Sequence, residues 1–161
     1  MIEKFEEIVK DRHAYARKWK ERTGGKVIGY FCCYAPEEII HAAGILPVRI
    51  VDSHEPEDFT DPYYQTWSRN CPFSRGCLAE ALKGSYDYLD GLVMARSCLH
   101  VLHAYDAWKA RMPVSFSHFV FVPALMNVRG TKEHFVGELA DFKAALEKWS
   151  GVTLGDRKSV V

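Results

Sequence analysis

Two hydrophobic periods alternate along this chain, and the switches between them mark its elements. Residues 2 to 21 place Ile2, Phe5, Ile8, Val9, Ala16 and Trp19 near one face of a helix, with Lys, Glu and Arg elsewhere; Thr23-Gly24-Gly25 ends it. Residues 27 to 33 are an apolar run of strand length. Pro36 suits the first turn of a short helix, where its missing N–H costs nothing, and Glu37 and Glu38 put negative charge at the positive end of the helix dipole. Gly44 stops that helix, and Pro47 to Val51 resumes extended structure.

Residues 52 to 68 are irregular, with two prolines, several acids and the aromatics Phe59, Tyr63, Tyr64 and Trp67; a long loop of this kind is often functional or poorly ordered, and the preferred expectation is that its aromatics pack down on the domain edge. Asn70 is a candidate cap for a helix over 71–84, with Pro72 in its first turn and Gly84 as its stop. Gly91 to Ala95 reads as a buried strand with Ser97 and Cys98 at its carboxyl end. A helix over 98–111 follows, with Leu99, Leu102, Tyr105 and Trp108 at helical spacing. Pro113 breaks it, and Val114 to Val122 reads as a strand. Thr131 is a candidate cap for a last helix whose apolar face is Phe135, Leu139, Phe142, Leu146 and Trp149; Gly151 closes it, and residues 152–161 read as a frayed tail. This alternation predicts an α/β fold: a single three-layer sandwich domain over residues 1–161, flavodoxin- or Rossmann-like. Its sheet is mostly parallel, with roughly four strands, and an N-terminal amphipathic helix precedes it.

Charge narrows the partners. Lys plus Arg is 21 and Asp plus Glu is 21, so there is no electrostatic case for a nucleic-acid or membrane-surface partner. No apolar run is long enough to span a bilayer, and the N-terminus is a charged amphipathic pattern rather than a signal peptide, so a cytoplasmic protein is expected.

The candidate chemistry lies in five cysteines, Cys32, Cys33, Cys71, Cys77 and Cys98, none in a C-x2-C spacing. On the predicted elements Cys32 or Cys33, Cys71 and Cys98 fall at strand ends or helix starts on one edge of the sheet, the edge where α/β sheets bind ligands. Three thiolates there suit a soft metal centre, such as an iron-sulfur cluster with one iron open to an outside ligand. A structural zinc or other thiolate site is the alternative. For any single cysteine, core packing is the commoner role. Cys77, inside a helix, is assigned to the core, and Cys33, pointing to the opposite strand face from Cys32, to structure. Arg75, one turn after Cys71, either meets an anion or pairs with an acid such as Glu80. His100 and His103, three apart on one helix face, could bind a metal, although such a pair is more often polar surface. There is no phosphate loop and no G-x-G-x-x-G.

The segment Gly29-Tyr30-Phe31-Cys32-x-Tyr34-x-Pro36-Glu37-Glu38-Ile39-x-x-Ala42-Ala43-Gly44-x-x-Pro47-Val48-Arg49 resembles the opening signature of the benzoyl-CoA reductase and 2-hydroxyacyl-CoA dehydratase family. Three further segments fit the same pattern in order: Cys71-x3-Arg75-x-x-Leu78; Gly84-x-Tyr86 through Asp90 to Val93; and Ser97-Cys98 followed by Tyr105-Asp106-x-Trp108. The stretch from Phe135 through Glu138 to Gly151 is also similar.

The resemblance implies the N-terminal lobe of a normally longer, cytoplasmic, oxygen-sensitive subunit of anaerobic metabolism. It implies a 4Fe-4S cluster held by three cysteines, with Cys71 and Cys98 the best matches by position and Cys32 the third. It also implies an acyl-CoA substrate, a related paired subunit, and an ATP-dependent activator protein that supplies a low-potential electron. The activity implied is one-electron reduction of the CoA thioester, leading either to dehydration of a 2-hydroxyacyl-CoA or to aromatic-ring reduction. A non-catalytic scaffold or partner-binding module that keeps the fold without a cluster is the alternative. Leu99 departs from the family, which has an acidic residue after the cysteine.

Overall fold

In the computed structural model, residues 2–52 and 70–155 are described. Four strands, β1 (Val27–Phe31), β2 (Leu46–Arg49), β3 (Gly91–Ala95) and β4 (Phe116–Val120), form one sheet in the order β2-β1-β3-β4. All three pairings are parallel, with Val27 opposite Leu46, Ile28 opposite Gly91 and Gly91 opposite Phe116. Every residue of the central strands β1 and β3 is buried. That is why both read as unbroken apolar runs: a parallel strand covered on two faces has no polar side to alternate with.

Six helices complete the described part: α1 (Ile2–Lys10), α2 (Arg12–Thr23), α3 (Glu37–Ala42), α4 (Pro72–Leu82), α5 (Leu99–Arg111) and α6 (Thr131–Ser150). One core joins Val27, Phe31, Leu92 and Met94 of the sheet to Ala16 of α2, Cys77, Leu78 and Ala81 of α4, and Val101, Tyr105 and Trp108 of α5. The other joins Ile28, Tyr30, Val93 and Ala95 to Ile40 of α3 and to Phe142 and Leu146 of α6. The three expected layers are present, with α2, α4 and α5 on one face and α3 and α6 on the other.

Several boundaries move for local reasons. The amphipathic helix expected over 2–21 is two helices. Asp11 interrupts it, because its carboxylate caps α2 by accepting from the Ala14 N–H at 2.8 Å. Phe5 and Val9 are consequently exposed, while Ala16 is buried and Trp19 packs against the core. The cap of α4 is Cys71 rather than Asn70, and the cap of α6 is Gly130 rather than Thr131. At the carboxyl end, Leu154 is buried against α6 and its N–H donates to Glu147 at 2.6 Å, while Val152, Thr153 and Gly155 are exposed; residues 156–161 lie outside the described residues. Phe59, Tyr63, Tyr64 and Trp67 also lie outside them. Among the described residues no helix is long and apolar enough to cross a membrane.

A polar clamp holds α2 on the sheet. Lys20 Nζ donates to Asp90 at 2.8 Å and to the Tyr88 carbonyl at 2.7 Å, while Arg17 pairs with Asp87 at 2.7 Å. Arg12 reaches the Arg49 carbonyl at 3.0 Å and the Tyr86 hydroxyl. That hydroxyl also donates to the Val51 carbonyl at 2.8 Å and accepts from the Val51 N–H at 3.0 Å.

Candidate functional site

The strand order determines where a site can form. From β1 the chain crosses through α3 to β2 on one side, and from β3 it crosses through α5 to β4 on the other. The two connections diverge, which leaves a crevice outside the carboxyl ends of β1 and β3. Cys32 and Cys33 follow β1 there, and Arg96, Ser97 and Cys98 follow β3.

Cys32 is not a strand residue. β1 ends at Phe31, and Cys32 has φ 66, the only positive φ at a non-glycine position among the described residues. Burial pushes its thiol pKa up, but the Ser97 hydroxyl, the Tyr34 backbone, and the thiol and backbone of Cys33 outweigh this and hold it below its ordinary value. The Ser97 hydroxyl itself is buried with no well-aligned hydrogen bond, so its contact with the thiol is close but poorly directed.

Cys71 and Cys98 both cap helices. Cys71 lies at the start of α4, where its sulfur accepts from the Ser74 N–H at 3.4 Å and lies 3.4 Å from the Ser74 hydroxyl. Cys98, at the start of α5, is exposed, and its side chain makes no capping bond. The two helices pack together through Cys77, Leu78, Val101 and Tyr105. Their starts are also pinned: the Cys71 N–H donates to His100 Nδ1 at 3.0 Å, and His103 Nδ1 lies 3.3 Å from Asn70 Oδ1. The histidine pair three apart thus braces residues 70 and 71. Its spacing was legible, but the partner was not.

Cys71 and Cys98 therefore share the carboxyl edge, and Cys32 touches the same β3–α5 turn through Ser97. Cys77 is wholly buried in the core, as expected. Cys33 differs from expectation. The turn at Cys32 takes it out of strand alternation, and its sulfur stands 4.0 Å from that of Cys32. Glu80 bonds Lys83 at 3.0 Å and Ser85 at 2.8 Å.

The donors suit an iron-sulfur group in kind. They are soft thiols, two at positive helix ends, with an underused Ser97 hydroxyl available to sulfur. They are not closed into a ligand set. Among the described residues no three His, Cys, Asp or Glu side chains stand close enough to share a metal ion.

A family model described as 2-hydroxyglutaryl-CoA dehydratase, D-component, matches residues 32–159. The chain is 30% identical over 144 residues to one of the benzoyl-CoA reductase subunits of Thauera aromatica, covering 88% of this chain and 37% of that one. It is 34% identical over 94 residues to the (R)-phenyllactyl-CoA dehydratase beta subunit of Clostridium sporogenes, covering 58% and 25%. It is 28% identical over 120 residues to the (R)-2-hydroxyglutaryl-CoA dehydratase beta subunit of Acidaminococcus fermentans, covering 72% and 31%. The chain spans little more than a third of the length of these curated relatives at most.

Proposed function

The chain belongs to the 2-hydroxyglutaryl-CoA dehydratase D-component family, and from that premise we propose that it is the N-terminal, cluster-bearing lobe of an acyl-CoA dehydratase or reductase subunit. Cys71 and Cys98 would hold a 4Fe-4S cluster, with Cys32 as the third protein ligand. The observation that carries this reading is the bracing of Cys71 against the first turn of α5, which keeps two helix-capping thiols on one edge of the sheet.

The lobe would work with a related subunit and take electrons from an ATP-dependent activator protein. When bound, such a cluster supplies a single low-potential electron to a CoA thioester. The residues of this chain have three tasks in that reading. Cys71 and Cys98 offer thiolates where helix dipoles favour negative charge. Ser97 offers a hydrogen bond to sulfur, and the α4–α5 contact fixes the spacing. The cytoplasm is the expected compartment, since exposed thiols such as Cys98 persist in a reducing one.

The test is iron and acid-labile sulfide content after anaerobic reconstitution. The wild-type chain should bind both, while Cys71→Ser and Cys98→Ser should each lose most of the iron with the fold intact by circular dichroism. A wild-type chain that takes up no iron would overturn the assignment. The unclosed ligand set favours a second reading, in which the lobe is a scaffold docking on a longer subunit. Iron-free chain recovered anaerobically in a stable complex with such a subunit would support that reading.

A further inference from the structure

Successive side chains of a strand point to opposite faces, so neighbouring cysteines within one do not meet. Cys32 and Cys33 escape that rule because the chain leaves β1 at Phe31 and Cys32 turns into the left-handed region, φ 66. A non-glycine residue takes this conformation only where its surroundings impose it. The turn brings Cys33 round to Cys32 and leaves the two sulfurs 4.0 Å apart. Cys33 is exposed and Cys32 half-buried, so Cys33 is the more accessible of the two to a reagent in solution.

We propose that Cys32 and Cys33 form a vicinal dithiol, a modification site that a small-molecule disulfide of the glutathione class closes to an intramolecular Cys32–Cys33 disulfide. The exposed Cys33 thiol loses its proton to solvent and attacks one sulfur of glutathione disulfide. The S–S bond of the reagent breaks, one glutathione leaves as thiolate and takes up a proton, and a mixed disulfide remains on Cys33. Cys32 then gives up its proton and attacks the Cys33 sulfur, forming the protein disulfide and expelling the second glutathione, which is protonated in turn. Two electrons pass from the protein pair to glutathione disulfide, and the two protons lost by the protein end on the two glutathiones.

The second attack is intramolecular and therefore favoured by proximity. It requires side-chain rotation to bring the sulfurs from 4.0 Å to a bond length of about 2 Å, and a distortion of the Cys32–Cys33 peptide unit, since adjacent Cα atoms stand about 3.8 Å apart and a disulfide normally spans more than about 4.4 Å. No other cysteine is so placed: Cys77 is buried in the core, the Cys71 sulfur is engaged by Ser74, and Cys98 lies beyond a different strand. The inference stands without the cluster, since it needs only these two thiols. If Cys32 also binds iron, closing the disulfide removes it from the metal.

Tryptic cleavage separates the cysteines cleanly. The peptide from Val27 to Arg49 contains Cys32 and Cys33 alone, while Cys71, Cys77 and Cys98 each fall on a different peptide. The iron-free 161-residue chain is incubated with glutathione disulfide, folded or in urea, then alkylated, digested and weighed. The expected result is a Val27–Arg49 peptide two hydrogens lighter, without glutathione and closed to alkylation until reduced. It should form faster in the folded chain than in urea and be absent from Cys33→Ser. The proposal is overturned if that peptide is alkylated on both sulfurs, stays as a glutathione adduct, or becomes linked to another cysteine's peptide. Equal rates in folded and unfolded chain would also overturn it.

Discussion

The backbone N–H of Cys71 donates to Nδ1 of His100 across 3.0 Å, joining the cap of α4 to the first turn of α5. The donor is a backbone N–H, so Nδ1 is the acceptor and the ring proton of neutral His100 sits on Nε2. His100→Ala leaves that N–H without its partner. For a partly buried group this should cost about 1 kcal/mol, seen as a lower urea midpoint. His100→Asn, whose side-chain oxygen can also accept, should recover part of the loss. On the cluster reading the alanine variant should also retain less iron than wild type after anaerobic desalting.

Asp90 supports the opposite end of the sheet. One carboxylate oxygen accepts from the Val27 N–H at 2.8 Å and the other from Lys20 Nζ at 2.8 Å. Asp90→Ala orphans the N–H of a central-strand residue and should destabilise by roughly 1–3 kcal/mol. Asp90→Asn keeps an acceptor for Val27 but turns an NH2 donor towards Lys20, so it loses the partly exposed pair alone and should cost less than the alanine variant. Chemical denaturation of the two variants distinguishes these contributions.

Tyr86 is buried, and its hydroxyl meets Arg12 and both backbone groups of Val51. Tyr86→Phe keeps the ring in its contact with Trp108 but leaves the Val51 N–H without its acceptor, while Arg12 keeps the Arg49 carbonyl at 3.0 Å and the Val51 carbonyl at 3.4 Å. A loss of about 1–3 kcal/mol is expected. Hydrogen exchange should report it first as faster exchange of the Val51 amide.

His118 makes stability depend on pH. Burial beside Phe116 and Phe142 lowers its pKa, against a smaller upward pull from Glu138 and Asp141. The unfolded chain therefore takes up the proton first on acidification. The stability tied to neutral His118 is full above the unfolded pKa of about 6.5 and is lost as pH falls from there towards the folded pKa. His13, lowered by burial and then by Arg12, acts with the same sign. The denaturation midpoint of wild type should fall on going below about pH 6.5, and His118→Gln should flatten that fall.

The fold was legible because its signals are local or periodic. The apolar runs of β1 and β3, the Pro36-Glu37-Glu38 helix start and the stops at Gly44 and Gly151 each follow from what one residue type can do at one backbone position. The helix caps were less legible. A cysteine rarely competes with asparagine for an N-cap, yet Cys71 holds that role through Ser74. The break at Asp11 was hidden by apolar residues whose spacing continues across it. At the candidate site the sequence indicated which edge the thiols share. It did not reveal the His100 brace or the meeting of Cys32 with Cys33, since the first is a long-range contact and the second depends on one backbone torsion.

The strand order also sets how the molecule can assemble. β1 meets β2 after one short crossover, with Val27 beside Leu46, but its pairing with β3 joins Ile28 to Gly91 and encloses a segment roughly three times as long. Closing the longer loop costs about 1 kcal/mol more chain entropy. During synthesis the β1–β3 seam, which the thiol-bearing edge straddles, cannot form until β3 has left the ribosome. Until then one flank of β1 stays open to pairing with another chain, so the hazard of misassembly peaks before the candidate site exists.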